Sequence, residues 1–200
     1  MTTEHNHSPA YTWLTRYSAS RTALLIAGLW GFAEATLFFI VPDVYLGFVA
    51  LFNWRQGLKA TLVAITGALL GGALMYGLAV NHATFMHDLL VQVPLIKVTM
   101  LNNVSERMHA EGLVALISGP LLGIPYKIYA VQAGQQQLPF LLFLLMTILA
   151  RLERILPFVL LSAGAGTLCK RWIQRYPAWL IGTYTLLWLG IYLFYFLAVR

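Results

Sequence analysis

The chain has little charge for its length. Only 10% of its 200 residues are Asp, Glu, Lys or Arg, where a soluble domain carries about 25%. With 60% hydrophobic residues and a mean hydropathy of +0.73, an ordinary water-soluble globule is excluded, and an integral membrane protein is expected. Acidic residues are scarcest, 7 against 13 Lys and Arg, for a net charge of +6. That excess is no nucleic-acid signature, because the bases sit in short groups between apolar runs. Such groups act as topology signals and contacts for anionic lipid. Cysteine occurs once, as Cys169, which excludes an intrachain disulfide and a cysteine metal set. The hydrolase patterns HExxH and GxSxG and paired histidines are missing. The opening MTTEHNHSPAYTWLTRYSAS lacks a basic segment leading into an apolar core. It is therefore not expected to be a cleaved signal peptide, and the first apolar segment is expected to target the chain. His5 and His7 read as part of a solvated tail rather than a metal site. No metal and no cofactor are expected.

What fills the chain is a series of apolar stretches broken in unusual places. Residues 21–52 are apolar almost throughout, yet Glu34, Pro42 and Asp43 lie in their middle. As one helix they would cover about 48 Å, too much for one crossing of a bilayer core of about 30 Å and too little for two. A helical hairpin that enters and leaves on one face fits better. Its carboxylates must then face protein or a water-filled cavity. Residues 58–80 read as a conventional transmembrane helix, with Gly67, Ala68, Gly71, Gly72 and Ala73 offering a face for close helix approach.

Residues 81–111 are mixed in sign. The spacing of Met86, Leu89, Leu90 and Val93 predicts a short helix at the membrane interface, interrupted by Pro94. A second helix is expected to start at Asn103 or Ser105. His82, His87 and His109 read as ordinary interfacial histidines rather than a proton relay. Residues 112–134 are the second broken stretch: Gly119, Pro120, Gly123 and Pro125 interrupt it, and Lys127 follows the break. It either spans once with a kink or forms a second hairpin. Residues 138–168 read as a long helix carrying Arg151, Glu153 and Arg154, with both arginines on one face. Pro157 is expected to kink this helix, and Gly164 and Gly166 to end it. A basic loop, 170–175, and a span rich in Trp and Tyr, 178–199, complete the chain.

The positive-inside rule favours the two-hairpin reading. Arg16, Arg21, Arg55, Lys59, Lys170, Arg171 and Arg175 then share the cytoplasmic side. The far side keeps Lys97, Arg107 and Arg200, offset by Asp88, Glu106 and Glu111. A spanning 112–134 would split the basic group. The expected fold is all-α: a polytopic membrane protein with two re-entrant helical hairpins entering from opposite faces, about three full transmembrane helices and an interfacial amphipathic segment. It divides into a polar tail (1–20), a membrane domain (21–168) and a basic loop with a C-terminal helix (169–200). Paired interrupted segments point to a midplane site. Three acids, Glu34, Asp43 and Glu153, and three bases, Lys127, Arg151 and Arg154, are expected within the membrane region. These six either serve transport or are only interlocking ion pairs, with Arg151 and Lys127 snorkelling.

From Glu34 to Gly134 the sequence resembles the DedA family, also called the VTT or SNARE-associated membrane family, as a divergent member. The family's first hairpin often carries a Glu, a Pro-rich break and a second acid after a Pro step. EATLFFIVPDVYLGFVAL supplies Glu34, Pro42 and Asp43. Its second hairpin has a Gly/Pro break, basic residues and an Ala-Gly ending. GPLLGIPYKIYAVQAG supplies Gly119, Gly123, Pro125, Lys127, Ala133 and Gly134. The family's usual arginine pair around the second break is absent; Lys127 is the nearest base, and Pro120 stands where the first arginine would fall. Membership implies lipid translocation, by scramblases or by transporters that recycle polyprenyl-phosphate carriers, some using the proton gradient.

The expected function is a lipid transporter or scramblase, not an enzyme, moving a phosphate-bearing lipid between leaflets. Its substrate residues would be Glu34, Asp43, Lys127, Arg151 and Arg154, and its hairpin breaks Pro42, Gly119, Pro120, Gly123 and Pro125. The bases suit a lipid phosphate, and the acids balance them when the site is empty. Anionic lipid headgroups are the expected partners, with protons as candidate coupling ions; nucleic acid is not. The expected location is a bacterial inner membrane, N-terminus cytoplasmic. Two alternatives stand beside this reading. One is an intramembrane lipid phosphatase using Glu34 and Asp43 as acid and base, although Ser118 is the lone hydroxyl at the second break and no histidine is near it in sequence. The other is a non-transporting scaffold or assembly factor that binds a partner helix through the small-residue face of 58–80.

Overall fold

The computed structural model describes residues 8–119 and 122–199, with side chains as far as 197. His5, His7, Pro120 and Arg200 lie outside the described residues. Every regular element among the described residues is helical.

Part of the stretch expected as a tail is helix α1, Pro9–Ser18, with a proline in its first turn. It is anchored, since Leu14 and Ser18 are buried and the Tyr17 hydroxyl lies 3.0 Å from that of Tyr45. Helix α2, Arg21–Thr36, is capped by Ser20, whose hydroxyl accepts from the Ala23 amide at 3.1 Å. The chain then breaks over 37–42 and returns as α3, Asp43–Phe52. Asn53 caps α4, Trp54–Asn81, by accepting from the Gln56 amide. The Gln56 side chain donates to the carbonyls of Ala19 and Ser20, while Gly57 lies against Ala50. So α2 begins, α3 ends and α4 begins at one end of the molecule. Helices α2 and α4 run side by side with backbones touching: Gly31 meets the Ala64 backbone, and Gly67 that of Gly28. No side chain fits at either place. The small-residue face of α4 is thus filled by α2, and at Gly72 by Tyr126.

Helices α5, Ala83–Val91, and α6, Val98–Glu111, follow. The start of α6 is Val98, not Asn103 or Ser105. The bend holding Pro94 ends at Lys97, which is extended (ψ 149°) and leads directly into helix. A 3-10 turn, Gly112–Val114, and a short helix α7, Ala115–Ser118, lead into the second break. Helix α8, Tyr126–Gln135, then runs to the far end, where Gln135 and Gln136 donate to the carbonyls of Ala83 and Ser105. Helix α9, Phe140–Leu168, returns antiparallel to α4: Tyr76 donates to Leu138 at one end, and Gly166 meets the Leu51 backbone at the other. That contact corrects the expectation that Gly164 and Gly166 end the helix. Gly166 is there for close packing, and the helix runs on to Leu168. The basic loop is a short helix, α10, Lys170–Arg175, followed by α11, Pro177–Val199.

Trp54–Asn81 and Pro177–Leu197 are long and apolar enough to cross a membrane. Helix α9 is as long, at 29 residues, but carries Arg151, Glu153 and Arg154. The segments bearing Arg16, Arg21, Arg55, Lys59 and the α10 bases gather at the end where α4 begins. Two apolar clusters form the core. One includes Leu46, Val49, Ile65 and Val159; the other includes Met86, Leu90, Ile128 and Phe143. Helix α9 passes from the second to the first between Ala150 and Ile155, the stretch that holds Arg151 and Arg154.

Candidate functional site

A broken helix leaves backbone polar groups without partners, and burial makes that costly. Here the partners come from the adjoining chain and from side chains of helices distant in sequence. In the first break, the Ile40 carbonyl accepts from the Trp30 indole (3.0 Å), and the Phe38 carbonyl accepts from Lys127 Nζ (3.2 Å). The Val41 amide donates to the Tyr192 hydroxyl (2.8 Å), and just past the break, in the first turn of α3, the Val44 carbonyl accepts from Tyr184 (2.8 Å). In the second, the amides of Leu122 and Ile124 both donate to the Gly119 carbonyl. Gly123 takes φ +74°, where glycine is at ease, and its carbonyl accepts from Tyr195 at 2.9 Å. Arg107, outside this region, donates to Ser118 at 2.7 Å and so ties α6 to the entry of the second break. Its hydrogen bond to Glu111 raises the Arg107 pKa above the ordinary value.

The two breaks therefore meet, although one is reached from each end of the bundle. The charged residues converge at this meeting point. Arg151, 1% exposed, lies with Nη2 2.6 Å from Glu34 Oε2. This is an ion pair whose atoms are off line for a hydrogen bond, and Nε and Nη1 also lack acceptors among the described residues. The Tyr126 ring supports the guanidinium at 4.2 Å, and Thr147 holds the Tyr126 hydroxyl at 3.0 Å. Arg154 donates to Asp43 Oδ2 at 3.0 Å. Lys127 is 2% exposed, and its ammonium donates to the Phe38 carbonyl with no carboxylate pairing among the described residues. Glu153 corrects the inventory read from the sequence. It is exposed on the outer side of α9 and takes no part in the site. Three acids facing three bases become two facing three.

Beside these groups is a cavity of about 390 Å³, within the usual range for a small-ligand site. Glu34, Asp43, Lys127 and Arg154 line its charged side. Arg151 sits behind them, paired to Glu34. Of the expected break residues, Gly123 and Pro125 line the cavity, Pro42 precedes α3 at φ −66°, and Gly119 packs on the Tyr129 ring. Two contributors escaped the sequence reading. The 93–96 bend lines the same cavity, with Leu95 at φ +70°, a strained conformation for a residue other than glycine. Helix α11 closes another side with Trp188, Ile191, Tyr192 and Tyr195. The signal for α11 was present: Tyr184, Trp188, Tyr192 and Tyr195 repeat at helical spacing and share a face. Of the described histidines, His82, His87 and His109, none lines the cavity, and Ser118 is held by Arg107 away from it.

A protein of Haemophilus influenzae described as an uncharacterized protein is 27% identical over 150 residues, which cover 75% of this chain and 77% of that one. No protein-family model matches the chain, and no solved structure matches it.

Proposed function

We propose that this protein is a DedA-like membrane lipid transporter or scramblase that passes a phosphate-bearing headgroup between leaflets. The observation that carries this reading is Lys127: a buried ammonium with no direct ion pair among the described residues, lining a cavity beside two arginine–carboxylate pairs. With all five groups ionised the site holds one excess positive charge. A buried unpaired charge is costly, and a bound phosphate monoanion would neutralise it with charge-assisted hydrogen bonds. Residues 21–52 and 112–134 would act as re-entrant hairpins from opposite faces, with their breaks near the bilayer midplane. The basic end would be cytoplasmic, in a bacterial inner membrane. A proton displaced from, or taken up by, Asp43 or Glu34 is a route to coupling. The scaffold alternative loses ground because the face it would offer on α4 is already occupied by α2.

The test is lipid flipping in reconstituted vesicles. Lys127→Ala removes a charge-assisted contact, so flipping should fall roughly ten- to hundredfold. Glu34→Gln and Asp43→Asn should also slow it. Unchanged rates in all three folded variants would remove the proposed site.

A further inference from the structure

Helix α11 touches both breaks through side chains three residues apart. The Tyr192 hydroxyl accepts from the Val41 amide of the first break at 2.8 Å. The Tyr195 hydroxyl donates to the Gly123 carbonyl of the second at 2.9 Å. Residues spaced i, i+3 on a helix are neighbours on one face, roughly 5–6 Å apart at Cβ. Tyr184 and Trp188 on the same face also hold α11, through a hydrogen bond to the Val44 carbonyl and ring contacts with Phe48 and Phe158, while its opposite face is unheld. Leu186, Leu187, Leu189, Leu193 and Phe194 are all more than half exposed. Each break, for its part, spends a backbone polar group on α11 that the broken helix cannot satisfy itself.

We propose that Tyr192 and Tyr195 work as one clamp, positioning residues that fix the two breaks relative to each other and so set the shape of the cavity between them. Neither break can shift without pulling on the helix that holds the other. The role at the site rests on reading the cavity as an anion site; the mechanical link does not.

Tyr→Phe removes only the hydroxyl, so both variants keep the ring and its packing. The experiment is residue-resolved hydrogen exchange on the full chain in detergent micelles, at the amides of Val41 in the first break and Ile124 in the second. Loss of the Tyr192 hydroxyl must speed Val41 on any account. The clamp makes a further demand. Tyr195→Phe, whose lost hydroxyl touches the second break, must also speed Val41. Tyr192→Phe must likewise speed Ile124. Each effect should be roughly five- to tenfold, the scale of one hydrogen bond, and the double variant should be no faster than either single one. Val41 exchange unchanged by Tyr195→Phe overturns the proposal. A second arm measures dodecyl phosphate affinity by calorimetry, with dodecanol and inorganic phosphate as controls. The clamp predicts that both single variants and the double lose the same amount; losses that multiply overturn it. If the native chain binds no dodecyl phosphate, the lipid reading fails, and the exchange arm still decides the clamp.

Discussion

Arg151 and Lys127 are two buried bases with opposite expectations. Arg151 has Glu34 beside it, so Glu34→Gln leaves a guanidinium buried and unpaired. Unfolding by denaturant in micelles should show a loss of about 3–5 kcal/mol. Replacing the pair together, Glu34→Leu with Arg151→Met, should recover most of that stability without restoring lipid flipping. Lys127 forms no direct ion pair among the described residues, although the Glu34 charge acts on it. Lys127→Met loses the hydrogen bond to the Phe38 carbonyl but also removes a buried charge, so stability should fall by no more than about 1 kcal/mol while anion binding falls, the pattern of a residue retained for its ligand. A clear destabilisation by Lys127→Met would mean that the ammonium serves the fold. At this scale the sequence was a good guide, because ionisable residues in apolar runs are few and must be sheltered. The error was Glu153. At about 100° per residue it stands about 200° round the helix from Arg151, so the spacing that joined the two arginines already turned it away.

Broken and packed elements are told apart by glycine, and glycine was where the reading slipped. Gly119 and Gly123 do mark a break. Gly67, read as a close-approach residue, does let backbones meet; Gly166, read as a helix end, does the same, and the sequence around it does not separate the two uses because both demand a missing side chain. Gly67→Leu should force α2 from α4 and cost about 1–3 kcal/mol or more, read as a lower unfolding midpoint. Asn53→Ala, which removes the α4 cap, should cost about 1 kcal/mol. The bend at 93–96 was seen only as a proline interruption. Its place at the cavity depends on where α5 and α6 pack, which local pattern does not encode.

For the whole molecule, helix content and the gathering of basic segments at one end followed from composition and spacing. The role of α11 did not, since its bonds to the breaks join residues far apart in sequence. The proposed topology has a direct check with single cysteines on a Cys169→Ser background. Positions 55 and 171 should react with an impermeant thiol reagent from the cytoplasmic side, and positions 103 and 137 from the other. Opposite labelling of 55 and 171 would dismantle the arrangement. The bond between Val41 and Tyr192 also fixes an order of events. Its two residues are separated by 151 positions, so a ribosome has made every helix from α3 to α10 before the first break receives its partner. Until α11 emerges, the Val41 amide waits without this partner in the nascent protein.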